Sequence, residues 1–461
     1  MRSAWQFLRA QPAAWLALAG IAAMLWSAFC TIPAVYWNPP RLAPAFALAE
    51  GLNLYALRGS GAHLGWFYGP VFPLWSLPAT GVANITAAVL VWGLLNLVAI
   101  VVPAVLVLRD LVPARPGVRL LGLLLFGVLL MSNWLTLEML FSIHIDALCT
   151  GLGLVGCVLL ARASEAERGR AALHGAALAV ALAVWTKQIA ICLVPAMLVW
   201  CWWQRRRDLL LGLLLWLPAY AAGLGLVFAW RFGMEELVFN IWLVQAQTPF
   251  RGGWADFGRV LVRLGVYTWP WLAVPAVLAW LGRPRGDDGR SRRLARLLWL
   301  AAACFVPLGL TAAMKVGGWL NSLHSLNYLL PLMAAALARA AEEQPARARA
   351  GLAMLVGLAL VVGFYRSQER EGQWVLSRKQ EQWLAVAREN PGRVYFPWNP
   401  LPTLITDRRI YPFDNALFCL WAARFEIPAE LVRAAAPAKP IIIYDEPAQS
   451  KMALEAFKAS P

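Results

Sequence analysis

The chain has 461 residues, of which 60% are hydrophobic and only 14% charged. Soluble globular proteins carry about 25% charged residues, so this composition excludes a soluble fold and points to a polytopic membrane protein. The net charge of +16 calls for no nucleic acid, because arginines at the cytoplasmic ends of membrane helices account for it.

Arg2 and Arg9 precede the first apolar run, and no small-residue cleavage site follows it. The start therefore reads as a retained signal-anchor helix. Apolar runs recur at 13–35, 82–108, 118–136, 143–161, 171–186, 188–204, 209–230, 260–281, 294–314, 323–341 and 350–365. A helix needs about 20 residues to cross a bilayer, so the pattern predicts about 11 transmembrane helices. Arginines cluster at Arg109/Arg115/Arg119, Arg162/Arg168/Arg170, Arg205/Arg206/Arg207, Arg283 to Arg296, and Arg339/Arg347/Arg349. Every second loop is thus basic, which is the positive-inside pattern. It places the N-terminus in the cytoplasm and everything beyond about residue 366 outside.

The segment from Arg170 to Arg205 is too long for one span, near 50 Å at about 1.5 Å per residue. Both of its ends are basic. Two short helices with an outer turn at Trp185-Thr186-Lys187-Gln188 satisfy both facts. The outer loops are then 37–81, 132–146, 185–189, 231–259 and 315–322. The transmembrane domain covers 1–366 and a small extracytoplasmic domain covers 367–461. In that tail a helix is expected over Trp374–Glu389 and strands at Arg393–Phe396, Arg409–Pro412 and Ile441–Tyr444. Further helices are expected over Asn415–Phe425 and Ala448–Lys458. Helices alternating with buried-type strands predict a small α/β domain with a partly parallel sheet. No nucleotide-binding glycine motif is present. The seven cysteines mostly lie inside apolar runs without CxxC spacing, and read as small buried hydrophobes.

Ionisable groups in or near a span are costly, so they are site candidates. The acids at outer depth are Glu50, Glu138, Asp146, Glu235, Glu236 and Asp256. The last three lie in a long loop and read as solvated. Asp146 opens a span two residues after His144. It is either a helix-start carboxylate favoured by the dipole or part of a site. Two residues at this spacing do not define a metal centre, so no metal ligand is assigned and a divalent cation stays an open alternative. Lys187, with Thr186 and Gln188 beside it, is a point charge suited to phosphate; the bland reading is snorkelling to the interface. Arg58, Arg251 and Lys315 are further outer cations. Asn321, His324, Asn327 and Tyr328 share one face of an entering helix, and line either a polar cavity or a helix–helix contact. Trp66, Phe67 and Tyr68 read first as interfacial aromatics, and otherwise as a stacking surface for a sugar.

Five features taken together resemble the polytopic GT-C glycosyltransferases, in particular the mannosyl- or arabinosyl-transferase-like membrane group known as glycosyltransferase family 39. These are the early loop Ala45-Phe-Ala-Leu-Ala-Glu-Gly51 followed by Leu54-Tyr55; Tyr68-Gly-Pro70; His144-Ile-Asp146; Thr186-Lys-Gln188; and Gly317 to Tyr328. The resemblance implies a GT-C-like all-α membrane domain. It also implies transfer of a sugar, with inversion, from a polyprenyl-phosphate donor to a lipid, glycan or protein acceptor of the cell envelope. A carboxylate would deprotonate the acceptor hydroxyl and cations would stabilise the departing phosphate. Such enzymes carry that carboxylate early in the first outer loop. Here the place reads Tyr36-Trp-Asn-Pro-Pro-Arg41, with no acid. Asp146 is therefore the first choice for base, or for a metal or acceptor contact, and Glu50 the second. Lys187, Gln188, His144, Tyr55, Tyr68, Asn321, His324, Asn327 and Tyr328 would bind substrate. The missing early acid also supports a non-catalytic protein of the cell membrane that binds or translocates lipid-linked glycans.

Overall fold

A computed structural model describes residues 6, 9, 11–32, 35, 37–82, 84–112, 115–165, 169–262, 265, 289–318, 320–335, 338, 345–371, 379–443, 452, 455 and 457. Among them, six helices are long and apolar enough to cross a bilayer. These are α1 (Pro12–Thr31), α4 (Ile85–Leu111), α7 (Asp146–Ala163), α8 (Gly169–Thr186), α10 (Arg207–Phe232) and α11 (Gly289–Ala313). Shorter helices stand at four further expected places: α5 (Pro116–Ser132), α9 (Leu193–Trp203), α12 (His324–Ala334) and part of α13 (Pro345–Glu371). The protein is an all-α, multi-pass membrane protein. The expected crossing at 260–281 lies almost wholly outside the described residues.

Helix α7 is the axis of the bundle, with 78% of its apolar window buried inside the protein. Its glycines explain how neighbours come so close. A side chain at Gly151 would meet the Ala99 carbonyl at 2.5 Å, and one at Gly156 would meet Val180 at 2.7 Å. Small residues substitute backbone contact for the hydrophobic effect that lipid does not provide between helices. At the C-terminal ends of α4 and α7, Arg162 grips Asp110 through two bonds of 2.7 and 3.0 Å. Arg290 pairs with Glu165, Arg206 donates to the Ser164 carbonyl, and Arg296 lies over Trp203. Described arginines of three of the basic clusters, Arg162, Arg206, Arg290 and Arg296, thus meet at one end of the bundle.

The opposite end, about 24 Å along α7 at 1.5 Å per residue, carries the first loop and the tail. The loop opens with α2 (Asn38–Ala49), which is buried along most of its length. The short helix α3 (Val71–Ser76) returns the chain to α4. The segment expected as two short helices around residue 187 is so built: α8 ends at Thr186, Lys187 is extended, and a 3₁₀ turn over Gln188–Cys192 leads into α9.

In the tail, α14 (Gln380–Glu389), β1 (Val394–Tyr395), α15 (Leu401–Asp407), α16 (Asp414–Ala422), α17 (Ala429–Ala435) and β2 (Ile441–Ile442) follow in order. β1 and β2 pair in parallel, Val394 opposite Ile441. One expectation fails. Arg409–Pro412 is irregular chain, not a strand, because Tyr411 and Phe413 are buried as single plugs under Tyr395 and Trp398. Residues 374–378 and most of 448–458, where helix was expected, lie outside the described residues. The tail is seated on the first loop. Trp398 packs on Trp37, and Glu381 accepts from both the backbone N–H and the hydroxyl of Thr86 at the start of α4.

Candidate active site

Four elements end at one buried point. The short helix α6 (Trp134–Phe141) brings Glu138, and the link after it brings His144. Helix α7 begins with Asp146, α12 begins with His324, and Lys187 follows the last residue of α8. From the first loop, α2 adds Arg41. The local sequence explains why these ends stay in register. Asn38 on α2 accepts from the backbone N–H of Ile143 at 2.6 Å and donates to the Ile32 carbonyl at 2.8 Å. Asn96 on α4 donates to the Met139 carbonyl at 2.6 Å, fixing α6. Each of these polar side chains is buried, where it is stable only because its bonds are made.

Asp146 is 1% exposed and His324 0%. Lys187 Nζ donates to Asp146 Oδ1 at 2.7 Å, and sits 5.8 Å from the Tyr68 ring centroid. The other Asp146 oxygen, Oδ2, lies 3.4 Å from His324 Nδ1 and 3.8 Å from His144 Nδ1. Glu138 spans the far side of the two rings, with Oε1 3.2 Å from His144 Nε2 and Oε2 3.6 Å from His324 Nε2. The rings meet edge to face at 5.2 Å. Arg41 donates to the Ile143 carbonyl and lies 2.9 Å from His144 Nε2. The two carboxylates balance Lys187 and Arg41 in charge when both histidines are neutral.

Burial, aided by the Arg41 charge, pulls His144 down to about 4. For Lys187 burial acts downward too, but the adjacent Asp146 carboxylate outweighs it and holds the ammonium above its ordinary value. This fits an opposite charge in contact, which favours the ionised form. His144, Asp146 and His324 each offer a ligand atom within 4.8 Å of the others, so these three are the residues able to hold a metal among those described.

The other expected site residues divide. Tyr68 is half-buried beside Lys187. Tyr55 donates to the Tyr68 carbonyl at 2.7 Å. Gln188 donates to the carbonyls of Phe67 and Ile241, so both side chains act as braces for the loop. Asn327 accepts from Asn133 at 2.7 Å, and Tyr328 donates to the Ile100 carbonyl; both bonds join helices. Asn321 is half-buried one turn before His324. Glu50 lies at the end of α2 and pairs with Arg408 of the tail at 3.3 Å, without a contact to the Asp146 group. Trp66 and Phe67 are buried inside the loop, not set in an interfacial belt. A cleft of about 520 Å³ lies between loop and tail, bordered by Asn53, Arg408 and Tyr411, and does not reach the buried cluster.

Sequence reasoning placed Glu138 among the candidate outer acids without giving it a role, and missed Arg41. Glu138 is the lone charge in Trp134-Leu-Thr-Leu-Glu-Met-Leu-Phe141, which was signal enough to rank it with Asp146. Arg41 carried no distinguishing pattern.

No protein-family model and no curated protein matches the chain. Solved structures do. The crystal structure of ArnT from Cupriavidus metallidurans bound to undecaprenyl phosphate aligns over 90% of this chain and 88% of that one, with TM-score 0.57 and 12% identity. The apo structure of the same protein aligns over 96% of this chain and 94% of that one, with the same score and identity. The likeness establishes that this chain shares the fold of that protein.

Proposed function

We propose that the protein is a membrane glycosyltransferase that moves a sugar from a polyprenyl-phosphate donor to an envelope lipid, glycan or protein, with inversion at the anomeric carbon. The observation that carries this reading is the buried Asp146–Lys187 pair, ringed by Glu138, His144, His324 and Arg41, at one end of a GT-C bundle. A membrane protein seldom keeps six ionisable side chains together at the ends of its helices unless they serve a site. The ArnT structure with undecaprenyl phosphate supports the donor class by analogy of fold. The arginine end lies in the cytoplasm in this reading, so the site opens on the outer face, where the first loop and the tail cover it.

Lys187 and Arg41 supply positive charge for the donor phosphate, which gains charge as the sugar leaves. Asp146 Oδ2, which takes no hydrogen bond, is the carboxylate offered to the acceptor, as proton acceptor or as the group that positions it. Tyr68 borders Lys187 and shapes the donor side. The test uses membranes containing Asp146→Asn or Glu50→Gln, each supplied with labelled polyprenyl-phosphate sugars. Loss of a positioned base costs about 10²–10⁴-fold, so Asp146→Asn is expected to lose transfer by that order while Glu50→Gln keeps most of it. Full transfer by both variants would remove these two residues from the chemistry.

The absence of an acid in Tyr36 to Arg41 favours a second reading, a protein that binds or translocates lipid-linked glycans without turnover. Purified protein that binds the labelled donor and never consumes it decides for that reading.

A further inference from the structure

At the arginine end of the bundle, several arginines are held by the protein itself. Arg162 takes both oxygens of Asp110, Arg290 and Arg293 reach Glu165, Arg206 holds Asp208, and Arg296 lies over Trp203. Two others face one groove without an acid. Arg109, in the last turn of α4, is exposed and has no carboxylate partner among the described residues. Arg119, in the first turn of α5, donates from Nε to the Val112 carbonyl at 3.0 Å and meets no acid among them either. The neighbouring Asp110 is buried, with both oxygens turned to Arg162.

Arg109 and Arg119 line a groove of about 200 Å³ between α4 and α5, together with Val105, Leu108, Leu120 and Leu123. Val105, Leu108 and Arg109 share it because residues three and four apart lie on one helix face. Arg119 comes from the other wall, and its bond to Val112 ties it to the end of α4. Two like charges on one small cavity repel, and no acidic side chain lines it. Helix electrostatics does not account for the pair, since a cation in the first turn of α5 stands against the dipole. The positive-inside rule accounts for arginines in the connecting loop, but not for two turned onto one apolar groove. An anion is the missing member.

The face of α4 beyond the groove tells what carries that anion. Val102 and Val98 continue the stripe of Val105, and all three are exposed. Val98 and Arg109 are 11 residues apart, about 16 Å at about 1.5 Å per residue. Half of a hydrocarbon core of about 30 Å is about 15 Å. An apolar strip one leaflet deep that ends in two cations fits an acyl chain with a charged head. A free phosphate would leave the strip and the groove walls unused.

We propose that the α4–α5 groove binds an anionic phospholipid, with its headgroup phosphate between Arg109 and Arg119 and one acyl chain along Val105, Val102 and Val98. Basic pockets between membrane helices recognise such headgroups. The groove lies at the other end of the bundle from the Asp146 cluster, and its occupancy does not rest on the transferase reading.

The full chain is purified in detergent, stripped of lipid, and titrated with phosphatidylglycerol or with phosphatidylcholine of the same acyl chains, while native mass spectrometry counts the bound lipid. Wild type is expected to hold about one phosphatidylglycerol per chain under conditions that remove phosphatidylcholine. Arg109→Gln and Arg119→Gln are each expected to weaken binding about fivefold, and the double variant about 30-fold, from the contribution of one basic residue at an anionic lipid. Arg207→Gln removes an exposed arginine of the same end outside the groove, and leaves binding unchanged. Leu123→Trp keeps both arginines but fills the groove, and loses the lipid as the double variant does. Glycerol 3-phosphate in excess leaves the bound lipid in place. The proposal is overturned if the two lipids bind alike, if the double variant matches wild type, if Arg207→Gln weakens binding as strongly as the double variant, if Leu123→Trp keeps the lipid, or if glycerol 3-phosphate displaces it. The comparison of lipids on wild type needs no variant, so misfolding of a mutant leaves the test intact.

Discussion

At the scale of single residues, burial decides which ionisable groups act and which merely sit. His63 shows the second case. It is buried in the first loop with no partner for Nε2 and a tilted contact to Phe239. Burial pulls it down to about 4, against a backbone hydrogen bond that raises it, from an ordinary value of 6.5. The unfolded chain therefore binds more protons than the folded one between about pH 6.5 and 4, and stability falls as pH drops through that window. The slope reaches on the order of 1 kcal/mol per pH unit. Melting of the purified protein from pH 7.5 to 4.5 is expected to show this loss, and His63→Gln is expected to flatten it. An unchanged slope in the variant would assign the acid sensitivity elsewhere. Asp146 and Lys187 are the first case. Breaking a buried ion pair from one side costs about 3–5 kcal/mol, so Asp146→Asn should be checked for melting before its activity is read.

At the scale of elements, the break after α8 positions Lys187, and its neighbours leave no room there. A Cβ at Gly69 would lie 1.6 Å from the Trp185 carbonyl oxygen, a backbone atom that cannot swing aside. Gly69→Ala must push the loop off the end of α8, taking Tyr68 away from Lys187. Overpacking of this kind costs about 1–3 kcal/mol. The expected result is a lower melting temperature and weaker donor binding than wild type, whereas Gly81→Ala, which meets open space, changes neither. Equal behaviour of the two variants would separate the loop from the site. The break itself was legible in the sequence, because a 35-residue apolar segment with basic ends cannot be one span. So were Asp146, Lys187 and His324, each a polar residue at the edge of an apolar run. Convergence was not legible. Nothing in local pattern says that Glu138 and His324, 186 residues apart, face one another, or that Glu50 turns instead to Arg408. The Arg409–Pro412 misreading has the same root, since an apolar stretch looks alike whether it pairs as a strand or plugs a core as single side chains.

At the scale of the whole molecule, the tail is the piece whose role was least legible, because composition marks it as separate while its contacts make it part of the site end. It meets the first loop through Trp398 on Trp37 and through Gly65, whose backbone at φ +70° lies against Ala416. Its firmest polar hold is on α4. Asn84 caps that helix by accepting from Ala87 at 2.7 Å, and Glu381 accepts the neighbouring Thr86 N–H and hydroxyl at 2.8 and 2.9 Å. A carboxylate at a helix N-terminus gains from the dipole as well as from the bonds. Hydrogen bonds to a charged group contribute about 1.5–3 kcal/mol each, so Glu381→Ala weakens docking by at least the low end of that range. Opening of the tail should then rise by about tenfold for each 1.4 kcal/mol lost, and limited proteolysis reads that population when opening and closing outrun cleavage. Faster cleavage within 379–443 is expected, with the helical bundle left intact. Glu381→Gln, which keeps an acceptor without the charge, should fall between the two. If all three proteins are cut at one rate, the tail is held by its aromatic and backbone contacts alone, and α4 begins without its help.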